Sequence, residues 1–269
     1  MKTLLKFFVI CTALAAFLWH DTFYPESLRG ARVLVTGAST GIGEQLAYHY
    51  ARLGAQLIIT ARRESILQKV VDKCLELGAQ QAWYISADMS QSADPERVVK
   101  YAVEKMEGLD YLVLNHIGSS PFQMWNQDAE HVRTLMQVNF LSYVQMTSAA
   151  LPTLEKSGGT IIVVSSMLGK LATPFVAPYT ATKFAVNGFF ETLQHDAMEK
   201  INCNAFLWLF RGYINATAYP ASEAAMHIIR AGTTRQNFSF YPWYIYFVCL
   251  FRDWFIYFRD ICIQNSFTY

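Results

Sequence analysis

Charge is scarce in this chain and evenly split. Lys and Arg number 22 against 21 Asp and Glu, and charged residues make up only 16% of 269. That balance argues against nucleic acid as the main partner, because phosphate binding needs a concentrated basic face. Disorder is excluded by the 53% of hydrophobic residues, since a disordered chain combines low hydrophobicity with high net charge. Metal-ligand spacing is missing as well. Cys11, Cys74, Cys203, Cys249 and Cys262 are odd in number and no pair is spaced for zinc, so they read as buried free thiols and no metal is expected. Neither an internal repeat nor a low-complexity linker is present. The length fits one large α/β domain about as well as two small ones. Aromatic residues are abundant, with 15 Tyr and 19 Phe, and they crowd the C-terminal end.

Three regions follow from the pattern. Residues 1–20 hold an uncharged run, from Phe7 to Trp19, preceded by Lys2 and Lys6. This is a signal peptide with a site near Ala15, or a signal-anchor that stays in the membrane. Either way the positive flank stays cytosolic and the rest crosses. The sequons at Asn215 and Asn237 agree with that address. Residues 28–241 alternate strands and helices. Strands are expected at 33–35, 57–60, 82–86, 111–114, 161–164, 205–209 and 238–241. Helices are expected at 41–53, 65–77, 94–107, 128–151 and within 177–200, with Asp94 as a cap and Pro152 ending or kinking the fourth. A further helix starts near Glu223. Alternation of this kind, with strands apolar throughout, predicts a Rossmann-type doubly wound parallel sheet of seven strands covered by helices on both faces. Residues 242–269 form an aromatic segment interrupted by Pro242, Arg252 and Asp253. It is either an interfacial amphipathic helix or a packing surface within the core or a dimer.

The chemistry lies at strand ends. Thr36-Gly37-Ala38-Ser39-Thr40-Gly41-Ile42-Gly43 follows the first strand and opens the first helix. Such a turn lets the backbone approach a pyrophosphate, which the helix N-terminus stabilises. At the end of the second strand, where an acid would select NAD by bonding the ribose 2′-hydroxyl, the chain has Arg62 and Arg63. Two guanidiniums suit a 2′-phosphate, so NADP is the expected cofactor. Asp88 suits an adenine amino group, or equally a turn cap. Tyr179 and Lys183 stand four apart on a helix and share a face. An ammonium beside the phenol would lower its pKa toward neutrality and make it a usable acid and base. Ser166, just past the fifth strand, can bond a substrate carbonyl. Asn139 is an amide inside a helix, where amides are poor formers.

These motifs together resemble the short-chain dehydrogenase/reductase family, over nearly the whole chain. Leu114-Asn115-His116-Ile117 belongs with them, and the segments Gln68-Lys69-Val70-Val71, Cys74-Leu75-Glu76-Leu77-Gly78-Ala79 and Val138-Asn139-Phe140-Leu141-Ser142-Tyr143 resemble more closely its 11β-hydroxysteroid dehydrogenase type 1 branch. The resemblance implies hydride transfer between NADP and a carbon bearing oxygen, on a small apolar substrate such as a steroid. It implies that Tyr179 exchanges the proton, Lys183 holds the nicotinamide ribose, Ser166 orients the carbonyl and Asn139 positions a relay water. Cofactor contacts are implied at Gly37, Ser39, Thr40, Gly41, Ile42, Gly43, Arg62, Arg63, Asp88, Met89, Asn115, His116, Ile117, Gly212 and Ile214. A homodimer and an endoplasmic-reticulum anchor with a luminal domain are implied too, with secretion after cleavage as the alternative. Two departures stand out. Thr173 replaces a substrate-facing Tyr, and few residues separate Thr217 from the next helix, where the family has a longer lid. A cofactor-binding protein with little catalysis is therefore the second reading.

The orientation is open to direct measurement. In intact microsomes the domain should resist added protease and become digestible only with detergent. Digestion without detergent would contradict the positive-flank argument.

Overall fold

The computed structural model describes residues 23–197, 202–208, 220–236, 238–243, 245, 246 and 249. The N-terminal apolar segment, the turn holding Gly212 and Ile214, the two residues of the lid before Pro220 and nearly all of the C-terminal tail lie outside them. Seven parallel strands are described: β1 (Arg32–Thr36), β2 (Gln56–Ala61), β3 (Gln81–Ser86), β4 (Tyr111–Leu114), β5 (Thr160–Val164), β6 (Asn202–Trp208) and β7 (Phe238–Tyr241). Their order is β3-β2-β1-β4-β5-β6-β7. The chain winds outward from β1 in one direction and from β4 in the other, so a crevice opens above the β1–β4 junction. Register places Val33 opposite Leu57 and Tyr111, and Thr160 opposite Tyr111 and Asn202.

Two-residue periodicity sends alternate strand residues to opposite faces, and both faces are apolar. Val33, Val35, Ile59 and Ile162 pack on one side with α1 (Gly41–Arg52), α2 (Glu64–Glu76) and α7 (Ala221–Thr233), which contribute Leu46, Tyr50, Leu67 and Ile228. Leu34, Ile58, Leu112, Ile161 and Val163 pack on the other. There they meet Val98 of α3 (Asp94–Met106), Tyr143 and Met146 of α5 (Ser142–Ser157), and Val186 and Phe190 of α6 (Ala177–Ala197). A smaller cluster of Met167, Leu171 and Ile245 attaches the start of the aromatic C-terminal segment to the loop after β5.

Four expectations need correction. Asp94 does not cap α3: it is the first helical residue, and its carboxylate accepts from the Asp88 N–H at 2.7 Å. The expected helix over 128–151 is three pieces, α4 (Ala129–Met136), a π-turn at Gln137–Leu141, and α5. Asp128 does cap α4, accepting from the His131 N–H at 2.9 Å. Pro152 neither ends nor delimits α5, which runs on to Ser157. It sits on the exposed side, and Ser148, whose carbonyl it leaves without a helical donor, is exposed too, which leaves that group open to solvent rather than buried unpaired. Helix α7 starts at Ala221 rather than near Glu223, with Pro220 before it.

The first crossover is the tightest. A Cβ at Gly43 would lie 2.3 Å from the Gly37 carbonyl oxygen and 2.6 Å from Asn115 Nδ2, so α1 meets the β1 turn with no room for a side chain. Gly43→Ala should therefore push α1 off the turn. Overpacking of this kind costs about 1–3 kcal/mol, read as a lower midpoint in urea denaturation. A midpoint unchanged from wild type would show that the backbone relaxes freely there.

Candidate active site

A cleft of about 1400 Å³ opens at the C-terminal ends of β1, β2, β4 and β5. Its walls include all but one of the described residues expected to contact the cofactor: Gly37, Ser39, Thr40, Gly41, Ile42, Arg62, Arg63, Asp88, Met89, Asn115, His116, Ile117, Tyr179 and Lys183 line it, whereas Gly43 is packed behind it against Gly37 and Asn115. Of the expected catalytic set, Ser166 and Asn139 also lie behind its walls. Thr60, Ser165, His131, Thr134, Pro220 and Ala221 also line it, and none of these was singled out from the sequence. Thr60 lies two residues before Arg62 and Ser165 one before Ser166, so reading back into each strand end would have found them. His131 and Thr134 carried no signal, because a polar residue early in a helix is ordinary.

The floor of the cleft is the Gly-rich turn. Gly41 has φ +64° and nothing within 4 Å of a built Cβ, so backbone faces open space there. Thr40 precedes α1 without a side-chain capping bond, which leaves the first N–H groups of the helix for an anion. At the rim, Arg63 donates to Ser39 Oγ at 3.1 Å and Thr40 Oγ1 at 3.3 Å, and Arg62 is exposed beside it. Asp88 accepts from the Ser90 N–H at 3.0 Å, the turn-capping alternative, and still lines the cleft.

The back wall is a buried hydrogen-bond network. Thr36 Oγ1 donates to the Val113 carbonyl at 3.1 Å and accepts from the Asn115 N–H at 2.8 Å. Asn115 Nδ2 donates to the carbonyls of Thr36 at 3.1 Å and Gly37 at 3.4 Å. The His116 ring bridges two hydroxyls, with Nδ1 2.9 Å from Thr36 Oγ1 and Nε2 2.8 Å from Ser142 Oγ. Burial, with the nearby Lys183 charge, brings its pKa down to about 3, so the imidazole is neutral. Asn139 is fully buried in the π-turn. Its Oδ1 accepts from the Gly118 N–H at 2.7 Å and its Nδ2 donates to Thr182 Oγ1 at 3.1 Å. The side-chain amide thus ties the loop after β4 to α6.

Tyr179 and Lys183 project from α6 toward the end of β5. The Ser166 hydroxyl accepts from the Leu168 N–H at 3.1 Å and bonds the Tyr179 phenol. Lys183 is 1% exposed, and its Nζ donates to the Val164 carbonyl at 3.0 Å. The expected effect of Lys183 on Tyr179 does not appear. Burial pushes the phenol up to about 12, opposed only by the Ser166 bond. The ammonium sits 5.8 Å from the Tyr179 ring centroid and is committed to Val164. Burial brings the lysine itself down to about 7. Helical spacing of four puts the two on one face, but the face does not set the distance between their polar ends. Ser165 Oγ donates to Asn187 Oδ1 at 2.6 Å, which fixes the loop carrying Ser166 to the next turn of α6.

Comparison with known proteins agrees with this construction. The short chain dehydrogenase family model matches residues 31–218. A zebrafish (Danio rerio) protein named hydroxysteroid 11-beta-dehydrogenase 1-like protein is 60% identical over 274 residues, covering 97% of this chain and 96% of that one. A short chain dehydrogenase/reductase from Burkholderia phymatum in complex with NAD superposes with a TM-score of 0.78 at 20% identity, covering 88% of this chain and 97% of that one. A metagenomic short-chain oxidoreductase in complex with NADP superposes with a TM-score of 0.71 at 25% identity, over 80% of this chain and 96% of that one. The chain belongs to the short-chain dehydrogenase family and is an oxidoreductase of that family.

Proposed function

We propose that this chain interconverts a hydroxyl and a ketone on a steroid or similar apolar substrate, with NADP(H) as the cofactor. We place it on the luminal side of the endoplasmic reticulum membrane, as a homodimer held there by the N-terminal segment. The observation that carries the reading is that Tyr179, with Ser166 beside its phenol, and Lys183 stand at one end of a cleft whose other end is the uncapped start of α1 with Arg63 on its rim. The name of the zebrafish relative supports the steroid class. The absence of an acid at Arg62 and Arg63 supports NADP, a cofactor that one of the two structural neighbours holds.

The cleft fits a dinucleotide on its own terms. Open backbone at Gly41 and free N–H groups at the head of α1 suit a pyrophosphate, and the two arginines suit a 2′-phosphate. Lys183 and Asn115 would hold the nicotinamide half. A bound NADP(H) supplies or takes up the hydride. The chain's own work is on the proton. With its pKa up near 12, the Tyr179 phenol is protonated at neutral pH and able to give its proton to a ketone oxygen. Ser166, bonded to that phenol, is placed to hold the same oxygen. In the alcohol direction the phenol must first lose its proton. That form grows tenfold per pH unit below the pKa, so oxidation should gain with rising pH while reduction should not.

Tyr179→Phe removes only the hydroxyl. Turnover of keto-steroids should fall by about 10²–10⁴, the pH-dependent limb of oxidation should vanish, and NADPH binding should survive. Near-normal turnover in that variant would assign the proton to another residue. If no keto-steroid in a broad panel turns over with the wild type, the second reading, a cofactor-binding protein with little catalysis, takes its place.

Cofactor choice is tested separately. Wild type should bind NADPH more tightly than NADH in paired fluorescence titrations, and Arg62→Ala/Arg63→Ala should erase the difference by weakening NADPH alone. Equal wild-type affinities would refute the assignment.

A further inference from the structure

Lys183 presents an unusual electrostatic problem. It is among the largest fully buried side chains, and among the described residues no carboxylate pairs with it. A buried ammonium with one carbonyl contact is costly. Two aromatic rings approach it. One belongs to Tyr179, with its centroid 5.8 Å from Nζ. The other belongs to Tyr143, whose centroid is closer, at 5.5 Å. Tyr143 is completely buried, comes from a different helix, α5, and is not one of the groups assigned to the reaction above. Its phenol donates to the His116 carbonyl at 2.7 Å, and its ring lies edge-on to the His116 imidazole with centroids 4.6 Å apart. His116 is in turn held by Thr36 and Ser142. The ring thus has a fixed orientation, set from β1, the loop after β4 and α5 together.

We propose that Tyr143 is a positioning residue for Lys183: its ring face, held by the packing around it, stabilises the buried ammonium by a cation–π contact. The distance is within the roughly 6 Å over which an ammonium feels the ring quadrupole, and desolvation makes the contact stronger than at a surface. Burial works against the charge, and the titratable groups facing Lys183 are His116 and Tyr143 from the back wall and Tyr179 from its own helix. The neutral His116 ring and the protonated phenols bring no anion. The π-face is therefore the available counterweight. It keeps a fraction of Lys183 charged near neutral pH, the form that can hold a ribose hydroxyl. The last clause rests on the function proposed above, but the contact itself does not.

The test follows Lys183 directly, without a substrate. The chain carries ¹³Cε-labelled lysine, and the Lys183 resonance is identified by its loss in Lys183→Arg. Its titration midpoint is then compared across Tyr143→Phe and versions with difluoro- and pentafluorophenylalanine at 143, which keep the shape and drain the ring quadrupole stepwise. Tyr143→Phe should leave the midpoint close to wild type. The fluorinated series should lower it progressively, by about one unit in all, a tenfold loss in the charged-to-neutral ratio. NADPH affinity at pH 7 should fall in the same order. A midpoint that stays level across the fluorinated series would overturn the proposal, since a purely structural ring is indifferent to fluorination of this kind. Should Tyr143→Phe alone produce the whole drop, the hydrogen bond to His116 and not the ring face would be responsible, which also overturns it. Absence of steroid turnover, by contrast, would bear only on the proposed function.

Discussion

Where parallel strands end, their last carbonyls lose the ladder that satisfied them, and in a buried position each must find a donor. At the C-terminal edge of this sheet the donors are the side chains of the site. Thr36 covers the Val113 carbonyl, Asn115 covers those of Thr36 and Gly37, and Lys183 covers that of Val164. The cleft is therefore built from the same bonds that close the sheet. Its functional groups are held by the fold's need to satisfy the backbone, and the positions of β1, β4, β5 and α6 all follow from those contacts.

This arrangement explains why the site is both rigid and electrostatically demanding. A lysine spent on a strand-end carbonyl cannot also be drawn close to a phenol. In the structure Tyr179 and Lys183 accordingly shift in opposite directions under the same cause, loss of water. Neighbours that carry no charge, a neutral imidazole and two protonated phenols, surround the ammonium. The polar wall behind it is satisfied through hydroxyls and amides, whose bonds survive burial at lower cost than those of ions.

The sheet was legible in the sequence because fully buried strands leave short apolar runs between turns, and β4 and β7 match their expected limits residue for residue. The exception is β6. It starts at Asn202, earlier than expected, because Asn202 and Asn204 interrupt the apolar run with residues that ordinarily mark turns. The helix over 128–151 was misread for two physical reasons. A π-turn has no compositional mark, and a proline is harmless where the carbonyl it orphans faces water. Asp94 looked like a cap by type and place, but its carboxylate answers the Asp88 N–H instead. Within the site, the glycines, Tyr179, Lys183, Ser166 and the two arginines were legible from spacing, since chemistry of this kind requires those types in that order. The hydrogen-bonding roles of Thr36, Ser142, Tyr143 and Thr182 in the back wall were not. Hydroxyls and a core tyrosine are commonplace in sequence, and their roles arise only from what they face across 26 to 80 residues of chain.

The π-turn sets a count as well as a shape. Each α-helical residue advances the phase by about 100°, so one residue more or fewer between Asn139 and Tyr143 would turn everything below it by that angle. Tyr143, Met146, Ala150 and Leu154 form the buried stripe of α5, and a one-residue deletion in Gln137–Leu141 would swing that stripe away from the sheet while Asn139 stayed pinned to Gly118 and Thr182. The amide at one end and the core stripe at the other share a single rotational phase. Substitutions can be absorbed along this segment far more readily than any change in its length.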